Sequence, residues 1–303
     1  MKQSKSAQDS TPGEPTRRTP ARSKSKPTNK PFKPAFRYIY HLRTTSQNGA
    51  DYLDALLQRH ARKYGYKLES VDVTTITDIE STKRQWKADG VCGLIFAQYY
   101  GYLEWFKQDW CEFAVVCVGG GPFQPYHTVQ EDVTYNTRLC LEKAIASGRS
   151  RIGIAFQHHE PEIPDDVLRY GAVMHWLGHE GKSYNTIPVL RTPISKPIAF
   201  IDWYKRHRPE VLIGFVGGLI TWMLRDLGVQ LGHDVLFMDP SIRIKNGQYA
   251  GIVEDKDTLA QIAVDKLHSL ILAGELGVPA RPTKLTVPGI WCHGASYPEV
   301  ISQ

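Results

Sequence analysis

Long hydrophobic runs are absent from this chain of 303 residues. Its longest nearly apolar stretch, residues 211–224, is shorter than the roughly 20 residues that a membrane-spanning helix needs, and a Gly-Gly pair interrupts it. The N-terminus also lacks the apolar central region of a secretory signal peptide. We therefore expect a cytoplasmic protein that makes no contact with a membrane.

Cysteine is scarce. The five cysteines form no CxxC pair, their number is odd, and most lie in apolar runs, as Cys117 does between Val116 and Val118. This pattern predicts buried, reduced thiols rather than a disulfide framework or a zinc site, and it agrees with a reducing compartment.

Catalytic and cofactor-binding motifs are also absent. The glycines at 119–121 lack GxGxxG spacing, and Pro122 prevents a helix from beginning directly after them. No GxSxG motif is present. His175 and His179 have the spacing of a zinc-binding pair, but they lack the glutamate of an HExxH motif and a third ligand. We therefore predict no enzymatic activity, no cofactor and no metal site.

Positive charge is concentrated in the first 35 residues. Residues 1–34 contain nine Lys or Arg and two acidic residues, whereas the whole chain has a formal net charge of +6, so the remainder is close to neutral. This segment is rich in Pro, Ser and Thr and poor in apolar residues, which predicts a disordered basic tail. Such a tail is either a solvated leader or a contact for nucleic acid through phosphate charge.

From Phe36 onwards, short β-forming runs alternate with helical patterns, which predicts an α/β protein with parallel sheets. The predicted strands lie at 37–42, 68–73, 91–97, 113–118, 151–156, 186–190, 211–216, 235–238 and 285–287. The polar segment 239–249 interrupts the alternation, so two doubly wound parallel-sheet lobes fit better than one closed barrel.

Five short segments occur in a characteristic order. They are ARKYGY at 61–66, DGVCGLI at 89–95, VQED at 129–132, ASGRSRIG at 146–153 and LRDLGVQLGHDV at 224–235. In this order and spacing they resemble the effector-binding domain of LacI/GalR transcription repressors, which has a periplasmic-binding-protein-like fold of type I. The resemblance covers residues 36–303.

The resemblance implies two lobes joined by three crossovers, near 147–150, 239–251 and 277–283. It divides the chain into a tail at 1–35, an N-terminal lobe and a C-terminal lobe. The predicted lobes are 36–147 plus 250–277, and 148–249 plus 278–303. A small-molecule effector, sugar-like or nucleoside-like, would bind between them, and the domain would act as a homodimer.

Several polar residues are candidates for ligand contact. Those that follow predicted strands near the cleft are Thr44, Ser46, Asn48, Asp51, Gln98, Tyr99 and Tyr100. Turn formation and helix capping are the alternative roles for the first four, and a position on the rim is the alternative for the tyrosines. The resemblance adds Asp132, for which N-capping of the next helix is the alternative, and Asp239.

The sequence departs from the family pattern in the second lobe. Gly217 and Gly218 stand where family members usually have Asn-Asp, and Leu168 stands where they have Arg, so Arg169 is the candidate replacement.

The predicted function is therefore effector sensing that controls DNA binding, although no helix-turn-helix is detectable before Phe36. A solute-binding protein of a sugar importer and, less favoured, an α/β enzyme are the alternatives.

Overall fold

The computed structural model describes residues 34–40, 47–97, 103–120, 125–160, 162–179, 187–193, 196, 198–214, 223–242 and 247–298. The predicted tail lies almost wholly outside the described residues.

Over 35–118 and 127–214, the described strands and helices alternate along the chain, as the sequence predicts. The strands are β1 Ala35–Tyr40, β2 Lys67–Asp72, β3 Val91–Ala97, β4 Ala114–Val118, β5 His127–Glu131, β6 Ile152–His158, β7 Leu190–Pro193, β8 Val211–Gly214, β9 Leu236–Ile242, β10 Ala250–Val253, β11 Lys284–Val287 and β12 Ile290–Cys292. The helices are α1 Gln47–Lys63, α2 Ile79–Ala88, α3 Leu103–Phe106, α4 Val133–Ala146, α5 Pro164–His179, α6 Ile198–His207 and α7 Lys256–Ala273.

The described strands form two six-stranded sheets. The first has the order β11-β5-β4-β3-β1-β2, and its strand pairs are all parallel. The second has the order β12-β10-β9-β8-β6-β7, and it is parallel except for β12, which runs antiparallel to β10. These two doubly wound sheets confirm the predicted α/β fold class.

Each sheet is covered on both faces, which explains the almost continuous apolar character of β3 and β4. Helix α7 covers one face of the first sheet and begins at the N-cap Asp255, whose side chain accepts from the backbone N–H of Thr258. Gly93 lets this helix approach closely, because a Cβ there would meet the side chain of Leu267 at 2.8 Å. The helix ends at Gly274, which adopts φ 66°.

The chain passes between the sheets at three places: from β5 to α4, from β10 to α7 and from β11 to β12. Helix α4 buries Cys140, Leu141 and Ala144 with the core of the second sheet, and α7 packs on the first. These passages lie at 131–133, 253–256 and 287–290, whereas the sequence predicts them near 147–150, 239–251 and 277–283.

The lobe boundaries therefore shift. Residues 133–147, assigned to the N-terminal lobe by sequence, lie with the second sheet because α4 packs there. Strand β10, also assigned to the N-terminal lobe, pairs with β9 in the second sheet. Strand β11, assigned to the C-terminal lobe, pairs with β5 in the first. Among the described residues, no helix is long and apolar enough to cross a membrane.

Candidate functional site

The carboxyl ends of the strands meet at the three passages between the sheets. Asp132 directly follows β5, and its backbone N–H donates to the carbonyl of Val287, the last residue of β11, at 2.8 Å. Gly289, beside β12, donates its N–H to Oδ1 of Asn136 in α4 at 2.8 Å. All three passages leave from carboxyl ends, so both sheets direct these ends to the side where the chain crosses.

Each sheet also has a point where the chain reverses its direction of winding. It lies between β1 and β3 in the first sheet and between β6 and β8 in the second. Open parallel sheets bind ligands in the crevice outside the carboxyl ends of the strands at such a point. By this rule, the crevice of each sheet lies outside its carboxyl strand ends, the ends from which the chain crosses between the sheets.

Two Glu-Asp pairs mark the first two passages. Asp132 caps α4 by accepting from the backbone N–H of Tyr135 at 2.9 Å, and Asp255 caps α7 in the same way through Thr258 at 3.0 Å. The glutamates that precede them, Glu131 and Glu254, are hydrogen-bonded to each other across the junction. This contact joins the end of a strand in one sheet to the end of a strand in the other.

The pKa values of the two carboxyl groups are shifted in opposite directions. Burial, the charge of Glu254 and the hydrogen bond to it raise the pKa of Glu131 well above its usual value, and Asp165 adds to this effect while Lys256 opposes it. Burial acts to raise the pKa of Glu254 too, but the hydrogen bond from Glu131 and the charge of Lys256 outweigh it and lower that pKa. Glu131 is therefore the carboxyl group of the pair that keeps its proton to higher pH, and in that form it donates to Glu254.

Further contacts hold Glu254 in its charged form. The hydroxyl of Ser241 donates to its Oε1 at 2.8 Å, and the ammonium of Lys256 lies 3.2 Å from its Oε2. The side chain of Glu254 is only 13% exposed. The junction thus places a carboxyl group with a raised pKa beside one with a lowered pKa.

We expect Glu131→Gln to remove a pH dependence of stability. A raised native pKa stabilises the fold below the unfolded-state pKa of about 4.3, and this contribution is lost as pH rises through the native pKa of Glu131. Glutamine keeps a donor toward Glu254 and cannot ionise. In urea unfolding between pH 5 and 8, the free energy of unfolding of the variant should rise relative to that of wild type as pH rises, by on the order of 1 kcal/mol.

Glu254→Gln is the matched control. It removes the carboxylate that Ser241 and Lys256 hold charged, so it should lower the free energy of unfolding at neutral pH. Parallel pH profiles for Glu131→Gln and wild type would contradict a raised pKa of Glu131.

Arg169 and Asp239, both predicted from sequence, lie in the second half. The side chains of Arg169 and Asp166 are 6% and 3% exposed, and Nη1 of Arg169 lies 3.7 Å from Oδ1 of Asp166. Asp166 also accepts from the backbone N–H and Nδ1 of His159, at 2.8 and 3.0 Å. Asp239 is buried in β9, and its Oδ1 accepts from the backbone N–H of Ser241 at 2.8 Å.

The remaining predicted site residues lie where the structure describes no side chain. Thr44, Ser46, Gln98, Tyr99 and Tyr100 lie outside the described residues. Asn48 and Asp51 lie near the start of α1, where side-chain surroundings are not described.

Sequence reasoning overlooked Glu131, Glu254, Gln157 and Ser241. The repeated Glu-Asp pair before a helix was the available signal for the first two. Within the described part of the chain, no group of three or more His, Cys, Asp or Glu side chains could hold a metal ion.

Solved structures resemble this fold over most of its length. A regulatory protein of the LacI family from Chloroflexus aggregans matches with a TM-score of 0.67 and 15% identity, covering 87% of this chain and 98% of its own. The transcription regulator CcpA of Lactococcus lactis matches with a TM-score of 0.66 and 13% identity, covering 88% of this chain and 100% of its own.

A third similar structure contains a sugar. The periplasmic binding protein/LacI transcriptional regulator from Alkaliphilus metalliredigens, complexed with D-xylulofuranose, has a TM-score of 0.60 and 13% identity, and the match covers 85% of this chain and 97% of that one. No family model matches the sequence, and no curated protein is similar to it in sequence. The chain thus has the fold of these regulators and binding proteins, with the two sheets and three passages described above.

Proposed function

We propose that this chain is the effector-sensing part of a LacI-type transcription regulator, and that a small sugar-like or nucleoside-like molecule binds between its two halves. The observation that carries the proposal is the convergence of carboxyl strand ends from both sheets at three passages of the chain. The sugar bound to the Alkaliphilus protein of the same fold supports this ligand class.

Ligand binding would shift the population of two orientations of the halves. The passages at 131–133, 253–256 and 287–290 are short, so small backbone rotations there would change the angle between the sheets. The hydrogen-bonded pair of Glu131 and Glu254 lies at this hinge.

The output of the proposed sensor is DNA binding by a cytoplasmic homodimer. DNA contact would come from the basic segment 1–34 or from a separate headpiece. This arrangement would make the orientation of the two halves the signal that DNA affinity follows.

A thermal-shift screen of pentoses, hexoses and nucleosides tests ligand binding on the full chain. A compound at about 100 times its Kd should add about 2.7 kcal/mol to the free energy of unfolding. An unchanged melting temperature with every sugar and every nucleoside would contradict the proposal.

Asp132→Ser tests the proposed ligand contact at the first passage. The capping hydrogen bond uses Oδ1 of Asp132, so Oδ2 can accept from a ligand. Serine keeps the cap and removes the carboxylate. We expect the variant to lose the ligand-induced shift and to keep the unliganded melting temperature; Asp132→Ala, which also loses the cap, should cost about 1 kcal/mol in addition. An undiminished shift in both variants would exclude Asp132 as a ligand contact.

A further inference from the structure

Gln157 lies beside the point in the second sheet where the chain reverses its direction of winding. It is the next-to-last residue of β6, the strand beside that reversal. It pairs with Thr192 of β7, two positions beyond Ala155, which pairs with Gly214 of β8. Because side chains alternate along a strand, Gln157 projects from the same face as Ala155, at the carboxyl end of the sheet.

The amide of Gln157 is buried without a hydrogen bond to the described part of the chain. The residue is 2% exposed, and neither Oε1 nor Nε2 has a partner among the described residues. Burying an amide in this way costs about 1 to 3 kcal/mol. Native proteins rarely keep such a group, and a ligand that satisfies it is one physical reason to do so.

Polar groups beside Gln157 in the neighbouring strand and in the loop that follows β6 already have partners. The hydroxyl of Thr192 donates to the carbonyl of Lys196 at 3.1 Å. The loop after β6 is fixed by Asp166, which accepts from both the backbone and the ring of His159. These contacts hold the end of β6 in place and leave the Gln157 amide as the group available to a ligand.

We propose that Gln157 is a specificity-determining ligand contact of the second half. A primary amide offers one acceptor and two donors in one plane. It therefore selects a neutral group that presents a donor and an acceptor side by side: the amide-like edge of a nucleobase or two adjacent sugar hydroxyls. This inference rests on the proposed function and adds the chemistry that the second half recognises.

Gln157→Met tests the assignment because it should have opposite effects on stability and binding. Methionine has a similar size and no amide to leave unsatisfied. The unliganded variant should melt about 2 to 6 °C above wild type. Its Kd for a compound that binds wild type should rise by about 10- to 100-fold.

Asn136→Leu is the matched control for the unliganded protein. Asn136 is also buried, but its Oδ1 accepts from Gly289. Removal of a partnered amide should lower the melting temperature, opposite to the change at Gln157.

D-ribose and D-xylose test recognition of adjacent sugar hydroxyls, and hypoxanthine and uracil test recognition of a nucleobase edge. A higher melting temperature together with weaker binding in Gln157→Met supports the proposal. The class of probe that binds wild type, sugar or nucleobase, identifies the class of ligand. A lower melting temperature, or unchanged Kd, overturns the assignment of Gln157 while leaving ligand sensing intact. No binding of either class of probe to wild type instead counts against the proposed function, and the ligand role of Gln157 fails with it.

Discussion

Gly251→Ala is expected to lower the free energy of unfolding by about 3 to 5 kcal/mol, the sum of backbone strain and steric overlap. Gly251 adopts φ 148°, a conformation that L side chains rarely adopt. A Cβ there would overlap the carbonyl oxygen of Asp239 and lie 2.7 Å from its backbone nitrogen. These are main-chain atoms of the adjacent strand, which cannot move aside as a side chain can.

Gly148→Ala is the matched control for this substitution. Gly148 has φ 69°, but a Cβ added there would have no atom of the described residues within 4 Å beyond its chain neighbours. Alanine should therefore cost only about 1 to 2 kcal/mol there. If both variants lower the free energy of unfolding equally in urea unfolding, the close approach of β10 to β9 is not the reason that position 251 requires glycine.

Asp166→Ala is expected to cost about 3 to 5 kcal/mol at neutral pH, because it removes a buried carboxylate beside the Arg169 guanidinium. It also removes the acceptor for the backbone and ring of His159. Burial acts to raise the pKa of Asp166, yet the hydrogen bonds and charge of His159 lower it overall. The stabilisation is therefore present above the unfolded-state pKa of about 3.9 and is lost as pH falls through the native pKa.

Asp166→Asn separates charge from hydrogen bonding. Asparagine keeps a carbonyl oxygen that can accept from His159, so Asp166→Asn should lower the free energy of unfolding less than Asp166→Ala does. Urea unfolding from pH 3 to 7 should show that both variants lack the acid-dependent loss of wild type. If the variants instead show the same loss of stability at low pH as wild type, a group other than Asp166 causes it.

Most hydrophobic strands and most helices could be predicted from the sequence because each follows from local pattern. Strands β3 and β4 are apolar throughout. Strand β5 was missed because His127 and Gln130 look like loop residues, although both are buried. The ring of His127 contacts Thr283 at 2.7 Å and Glu275 at 3.0 Å, and such distant partners cannot be inferred from local composition.

The lobe boundaries depended on the same kind of information. The sequence predicts helix α4 from its length and from Asp132, but nothing in it says which sheet the helix covers. The predicted strand at 186–190 likewise lies before β7 at Leu190–Pro193. The position of a segment between two sheets is set by tertiary packing, which a local pattern does not contain.

The candidate site was predictable only in part. Asp132 was recognised both as a cap and as a candidate contact, and the cap is observed. The pairing of Glu131 with Glu254 joins residues far apart in the chain, so neither position alone predicts the hydrogen bond between them. The missing partners of Gln157 among the described residues are a property of its surroundings, which the sequence does not describe.

A distance between spin labels tests most directly whether a ligand changes the angle between the two halves. The strands at the three passages lie toward one end of each sheet, and β2 and β7 lie at the other. Thr75 follows β2 and Lys196 follows β7, and both residues are exposed. Labels at Thr75→Cys and Lys196→Cys, with the exposed Cys111 changed to serine, report on the region farthest from the passages.

We expect a compound that raises the melting temperature to shorten this distance by several ångströms and to narrow its distribution. The same compound should leave unchanged the distance between labels at Thr75→Cys and Arg62→Cys, which lie in one half. An unaltered distance between Thr75 and Lys196 at saturating ligand would contradict closure of the two halves.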